Sequence, residues 1–278
     1  LIHQIVAGLS QGEQPCLVVL DNLETVVAQG VYQQFLQRWV GSGRYSKLLL
    51  ASRERPPLPR NLQRRCEWLP LQGLAEGDAV RLVTMDYGLI GTETELSAFV
   101  NQMGRHPLLM QLVCSLLVDE LGEGAQVSQV QGLGLDLFAV QGYHRDVETS
   151  VGEVVRASLQ RLSAKLARGL SQLSVLRGAF TVAGAQGIVS DLTEQELRQL
   201  AQLSLLQETP PQSGNPRQFQ FLPLIQTFVQ QNAESSLLEA AHRLALAYFQ
   251  SQFVSPPWQS FGDIGAYLEA FHHGGALG

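Results

Sequence analysis

Residues 16–24 of this chain read Cys-Leu-Val-Val-Leu-Asp-Asn-Leu-Glu. An uninterrupted apolar, β-branched run such as 16–20 predicts a strand buried on both faces, as the strands of a parallel sheet are. Asp21 closes the run and therefore stands at the carboxyl end of the strand. Open α/β sheets bind their ligands at that edge. The stretch thus predicts the fold class of this part of the chain and a first candidate site residue.

The flanking sequence extends this pattern into an α/β unit. A helix is predicted before the strand over 2–9 and another after it over 31–40. Residues 47–52 read as a second buried strand, and residues 66–71 as a third short one. Strands that alternate with a helix and a loop in this order are typical of a parallel sheet.

From Gly73 onward the pattern is helical, apart from one hairpin. Short strands at 205–209 and 218–221 flank a turn rich in proline and glycine, and the connection over 122–142 is rich in glycine. Three helices, a hairpin and one more helix form the order of a winged helix. The helices are predicted at 77–85, 93–103, 107–121, 151–162, 164–176, 183–190, 193–203, 236–253 and 264–272.

These patterns divide the chain into an α/β part followed by an all-α part. We assign 1–72 to an α/β domain and 73–142 to a helical subdomain with its linker. Residues 143–232 are assigned to a winged helix, and 233–278 to the start of helical repeats resembling tetratricopeptide repeats.

Composition limits the class of protein. The 278 residues are 45% hydrophobic and 16% charged, with a net charge of −6, which gives no overall attraction to nucleic acid or an anionic membrane. The chain has three cysteines and no Cys-x-x-Cys pair, which predicts reduced thiols in a cytoplasmic protein. No signal peptide or membrane span is predicted. Because the chain opens on Leu1, we expect a piece of a longer protein.

Lysine is rare. Of the 19 basic residues only Lys47 and Lys165 are lysine. A P-loop of the form G-x-x-x-x-G-K-[ST] needs a lysine for the phosphates and a hydroxyl for Mg²⁺. Lys47 has Ser46 in place of the second glycine and Leu48 in place of the hydroxyl residue, and Lys165 lies in an amphipathic helix. Neither is a P-loop lysine, so a P-loop would have to lie upstream.

Three positions are candidates for chemistry, and each also has a structural interpretation. Asp21 can hold Mg²⁺ through water while its neighbour Asn22 orients an attacking water, or it can simply cap a strand. Arg53 follows the second strand and can reach a phosphate, or it is a solvated loop residue. Pro107, in Gly104-Arg-His-Pro107, can line a site, or it can be an ordinary first residue of a helix.

Taken together, the order of these motifs resembles the NB-ARC type of STAND ATPases. Residues 17–24 look like the Walker B strand of that family, and 46–54 look like its sensor-1 strand. Residues 69–82 resemble the segment that enters the first helical subdomain, and 104–109 match the family's G-x-P motif. Residues 151–231 resemble its winged helix. The resemblance covers residues 1–231, and it implies that 1–72 are the carboxyl-terminal half of a nucleotide-binding domain.

The resemblance implies a cytoplasmic switch that uses ATP and ADP with Mg²⁺. It implies that Asp21 holds Mg²⁺, that Arg53 senses the terminal phosphate and that Pro107 packs beside the adenine. Nucleotide-driven oligomer formation is also implied. Leu222 stands where many members have a histidine that contacts the nucleotide. This departure, with the missing P-loop, leaves a non-catalytic interaction scaffold as the alternative.

Two further functions are weighed and disfavoured. Direct DNA binding is not expected, because the predicted recognition helix over 193–203 carries Glu194 and Glu196 against one arginine. A metal site at His272-His273 is not expected either, since adjacent helical residues point to different faces and no third ligand follows at helical spacing. The helical tail is expected to bind protein partners, if it binds anything.

Overall fold

The fold is taken from a computed structural model of the chain. It forms two units, Leu1–Leu71 and Gln72–Gly278, and each is treated on its own. The structure describes residues 2–11, 15–23, 26, 30–42, 46–52, 63–133, 147–212 and 215–278.

Unit 1 contains the two strands and the two helices that the sequence predicts. Helix α1 spans Ile2–Gln11 and α2 spans Gly30–Ser42. Strand β1 (Leu17–Leu20) pairs in parallel with β2 (Lys47–Leu50), each residue of one lying opposite its counterpart in the other. The predicted parallel pairing is therefore confirmed.

The expectation that these strands are buried on both faces is wrong for the described part of unit 1. Leu20, Leu48 and Leu50 pack on a small core that α2 and the turn after β1 supply. The opposite face is bare, with Leu17 63% and Val19 54% exposed. An apolar run shows that both faces of a strand are able to be buried, but not that another element covers each of them. Among the described residues, only one face of this sheet is covered.

The predicted third strand over 66–71 is also wrong, because this segment has no strand conformation. Pro70 has no backbone N–H to donate to a ladder. Leu69 and Leu71 are exposed, so burial of their apolar side chains does not stabilise a strand here. Within the described residues, the sheet of unit 1 has two strands.

Unit 2 is helical with one hairpin. Strands β3 (Gln207–Thr209) and β4 (Gln218–Gln220) pair antiparallel, and the predicted order of three helices, hairpin and helix is present. A π-helical turn at Leu82–Asp86 follows α3, and a 3-10 segment lies at Val127–Leu133. The helices are α3 Glu76–Arg81, α4 Glu93–Gln102, α5 Pro107–Leu121, α6 Val147–Arg161, α7 Ala164–Leu173, α8 Val182–Gln186, α9 Glu194–Gln202, α10 Pro223–Gln231, α11 Ser235–Ser251 and α12 Phe261–Ala276.

Helix ends follow the sequence signals closely. Thr193 caps α9 with a complete capping box, in which its hydroxyl accepts from the Glu196 N–H and the Glu196 carboxylate accepts from the Thr193 N–H. The end of α7 is closed from another helix, because the Gln226 amide nitrogen donates to the carbonyls of Ser174 (2.7 Å) and Leu176 (2.6 Å).

One continuous core runs through unit 2, from Ala79 in α3 to Ala245 in α11. Helix α5 lies at its centre and is apolar almost all round, with eight of its residues buried. Helices α11 and α12 pack together at the end of the chain. Among the described residues, every helix is too short or too polar to cross a bilayer.

Candidate functional site

Asp21 lies at the carboxyl edge of the sheet in unit 1, as the sequence predicts. The backbone after it turns at once, with Asn22 at φ 53°, and the buried Leu23 anchors the turn. The Leu23 N–H donates to the Ala51 carbonyl at 3.0 Å, and the Ala51 N–H donates to the Leu20 carbonyl at 2.9 Å. These bonds bring the end of β2 beside Asp21.

The side chain of Asp21 is exposed, and its Oδ1 accepts from the Asn22 N–H at 2.8 Å. A solvent-facing carboxylate at this edge stays hydrated, so it can hold an ion through an intervening water molecule. Arg53 follows Ala51 by two positions in the sequence but lies outside the described residues. Its approach to the site of Asp21 therefore stays a prediction.

Neither lysine has the surroundings of a P-loop lysine. Lys47 pairs with Leu17 at the opposite end of the strands, about 13 Å along the chain direction at the rise of a strand. Lys165 belongs to α7 in unit 2, where its ammonium group contacts Glu196 at 2.8 Å and the Asp191 carbonyl at 2.9 Å. The geometry thus agrees with the sequence argument that this chain carries no P-loop lysine.

Pro107 is the first residue of α5 and is exposed. The turn before it is tight, because Gly104 (φ 57°) and Arg105 (φ 55°) both adopt the left-handed region. His106 caps α5, its Nδ1 accepting from the Leu109 N–H at 3.4 Å. Burial lowers the pKa of His106 and so favours the neutral ring, in which one nitrogen can accept.

Gly73 holds this turn from the other side. The Leu74 N–H donates to the Arg105 carbonyl at 2.9 Å. A Cβ on Gly73 would lie 2.9 Å from that carbonyl oxygen and closer still to the carbonyl oxygen of Gly104. The two backbones therefore touch, and only glycine permits this approach.

A cleft of about 400 Å³ opens in unit 2 between α5 and the hairpin region. The sequence reasoning did not find it, since its walls come from segments more than 80 residues apart. Gln111 follows Pro107 by one helical turn and lies on the same face of α5. The lining includes Tyr87, Gln111, Ser204, Leu206, Glu208 and Leu222.

The cleft offers neutral hydrogen-bonding groups rather than cations. Ser204 lies 2.7 Å from Ser115 and 3.4 Å from Tyr87, oxygen to oxygen. No lysine or arginine occurs among the residues that the structure places along the cleft, and the Glu208 carboxylate is paired with Arg217. Such a lining suits a flat polar ring better than a phosphate.

The surface of α9 shows how the charges of this region are arranged. Arg217 lies 3.0 Å from Glu194 and also contacts Glu208, while Lys165 contacts Glu196. Cations that are already paired with carboxylates offer less to a phosphate backbone. The expectation that this region does not bind DNA stays a prediction.

A cluster of three histidines in the tail contradicts one argument from sequence. His272 and His273 were set aside because no third ligand follows them at helical spacing. The structure brings His242 of α11 to them, with one ligand nitrogen of each residue within 4.8 Å of the others. A histidine 30 residues upstream carries no sequence signal, because only the packing of α11 on α12 makes it a neighbour.

Comparison with known proteins finds matches to solved structures but not to family models or to curated sequences. No family model matches the chain, and no curated protein matches its sequence. Among solved structures, the fold matches the Signal Transduction ATPase with Numerous Domains (STAND) protein with a tetratricopeptide repeat sensor from Pyrococcus horikoshii, with a TM-score of 0.59 and 15% sequence identity. The match covers 100% of this chain and 35% of that protein, so this chain spans about a third of its length. The chain therefore has a STAND-like fold.

Proposed function

We propose that this chain is part of a STAND-type signalling ATPase that switches between ATP-bound and ADP-bound states. The observation that carries the proposal is the match of its whole length to a STAND protein. A related signalling role follows from that likeness. The NB-ARC motifs within residues 1–231 support the finer assignment to that branch.

Within this proposal, unit 1 supplies the acid of the nucleotide site. Asp21 holds Mg²⁺ through water, and its exposure at the carboxyl edge beside the end of β2 fits that role. Asn22 is the neighbour that orients the attacking water. Arg53, three residues after the end of β2 in the sequence, reads the terminal phosphate, for which a guanidinium is well suited. The phosphate-cradling lysine comes from a segment outside these 278 residues.

Unit 2 supplies the contacts to the base and the parts that move. Pro107 packs beside the adenine, held by the tight turn that Gly73 closes. The neighbouring cleft, whose hydroxyl and amide groups can donate and accept hydrogen bonds, is suited to a purine edge. Exchange of ATP for ADP changes the packing of the winged helix against the nucleotide-binding domain and controls assembly of an oligomer. The tail of α11 and α12 binds protein partners.

The test is a titration of ADP and of ATP with Mg²⁺ into the full-length gene product, followed by calorimetry. We expect the double variant Asp21→Ala, Arg53→Ala to weaken ATP binding by about 10- to 100-fold, because charge-assisted contacts contribute roughly 1.5–3 kcal/mol. The double variant Asp78→Ala, Arg81→Ala removes the same charges from exposed positions of α3 and is the matched control. Equal affinity in both double variants would refute these site assignments.

A non-catalytic scaffold is the second candidate, and Leu222 favours it. A leucine cannot make the polar contact to nucleotide that the family's histidine makes. This candidate predicts that the full-length product binds neither ATP nor ADP, while the tail still binds its protein partner. Nucleotide binding that depends on Asp21 excludes it.

A further inference from the structure

The histidine cluster joins the last two helices of the chain. His242 lies in α11, and His272 and His273 lie in α12. The Nδ1 atoms of His242 and His273 are 2.9 Å apart. The ring centroid of His272 lies 5.1 Å from that of His273 and 6.0 Å from that of His242. Three imidazoles from two helices thus converge on one point.

The most buried member has an unused nitrogen. His273 is fully buried, and its Nε2 has no hydrogen-bond partner among the described residues. A buried polar atom without a partner is destabilising, so an unpaired imidazole nitrogen calls for an explanation. Phe249 stacks on this ring at 5.6 Å between centroids, which fixes its orientation. The ring is held in place before any ligand arrives.

We propose that His242, His272 and His273 bind a divalent transition-metal ion of the zinc class, which links α11 to α12. Imidazole is a ligand that suits zinc, copper and nickel, whereas calcium and magnesium prefer oxygen. In a tetrahedral zinc site with bonds of about 2.0–2.1 Å, ligand nitrogens lie about 3.3 Å apart. One ligand nitrogen of each histidine lies within 4.8 Å of the others, so the three must approach one another further when the ion binds.

The surroundings of the three rings carry little net charge. The nearest ionic groups, Arg177 and Glu269, pair with each other at 2.9 Å and so largely cancel. Three protein ligands leave one position of a four-coordinate ion for water.

The test uses the full 278-residue chain without a histidine tag, stripped of metal by a chelator. Zn²⁺ binding is measured by calorimetry and by the rise in melting temperature, and Co²⁺ serves as a visible-absorption probe of coordination. We expect one ion per chain, a visible Co²⁺ band and a higher melting temperature with Zn²⁺. The proposal does not depend on the nucleotide site, so a failed ATP titration leaves it intact.

The variants separate a site from random binding to histidine. We expect His242→Gln and His272→Gln each to weaken Zn²⁺ binding by more than about tenfold, since even the loss of a supporting group around a metal has that effect. His144→Gln, which removes a histidine that is not one of the three proposed ligands, should bind like the unaltered chain. His272 is half-buried, so His272→Gln should keep the fold. If His242→Gln fails to fold, the affinity of His272→Gln for Zn²⁺ tests the proposal by itself. Equal affinity in His272→Gln and His144→Gln, or no Zn²⁺ binding by the unaltered chain, would overturn the proposal.

Discussion

The contact between Gly73 and the turn before α5 gives a sharp prediction for Gly73→Ala. The new Cβ would lie 2.9 Å from the Arg105 carbonyl oxygen and still closer to that of Gly104. Ordinary carbon–oxygen contacts are longer, and both neighbours are backbone atoms that cannot rotate away. The turn must therefore move, and the Leu74 to Arg105 hydrogen bond moves with it.

The expected cost follows from overpacking. Inserting one methyl group into a filled space costs about 1–3 kcal/mol, and a backbone neighbour places this variant at the upper end. With a urea dependence of about 2 kcal/mol per molar, the unfolding midpoint should fall by about 1–1.5 M. The matched control is Gly77→Ala in α3, where an added Cβ meets nothing within 4 Å. There alanine should stabilise the helix by roughly 0.5–1 kcal/mol, because it loses less backbone entropy than glycine.

The assay is urea unfolding of the two variants, followed by far-ultraviolet circular dichroism. The midpoints should move in opposite directions from that of the unaltered chain. If Gly73→Ala unfolds at the same urea concentration as Gly77→Ala, the close approach of the two backbones is not present in solution. In that case Pro107 would lose the support that we assign to it.

Two further predictions concern contacts within unit 2. Gln226→Ala removes the side-chain donor of the Leu176 carbonyl and one of two donors of the Ser174 carbonyl, which also accepts from Gln230. It should lower the free energy of unfolding by about 1–3 kcal/mol, against no change in the exposed control Gln231→Ala, measured by urea unfolding. Lys165→Met should make stability less sensitive to acid. The hydrogen bond from Lys165 is the main cause that lowers the pKa of Glu196, so the stability that this carboxylate contributes is present above its ordinary pKa of 4.5 and is lost as pH falls through the lowered value. Thermal unfolding from pH 7 down to pH 3 tests this, and an unchanged pH profile in Lys165→Met would contradict it.

Features written in local sequence were predicted well. Asp21 follows an apolar run directly, and the capping box of α9 lies within four consecutive residues, so both could be found from spacing alone. The start of α5 at Pro107 was likewise predicted from its own residues. Each of these features depends on residues that are close together in the sequence, so local sequence patterns predict it.

Features that depend on distant partners were missed. Ser204 and Tyr87 meet across 117 positions to form the cleft, and His242 meets His273 across 31. The bare face of β1 was missed for the same reason, because an apolar residue such as Val19 does not state which element covers it. These contacts and exposures depend on how distant segments pack together, and a local sequence pattern does not show which segments those are.

The continuous core of unit 2 has a practical consequence for anyone who trims this protein. Because α5 shares buried side chains with the hairpin region and with α11, an endpoint placed near residue 142 would expose the apolar surface of α5 to water. Fragments made at that point should aggregate or be degraded by proteases. The segment to express and crystallise is Gln72–Gly278 as a whole.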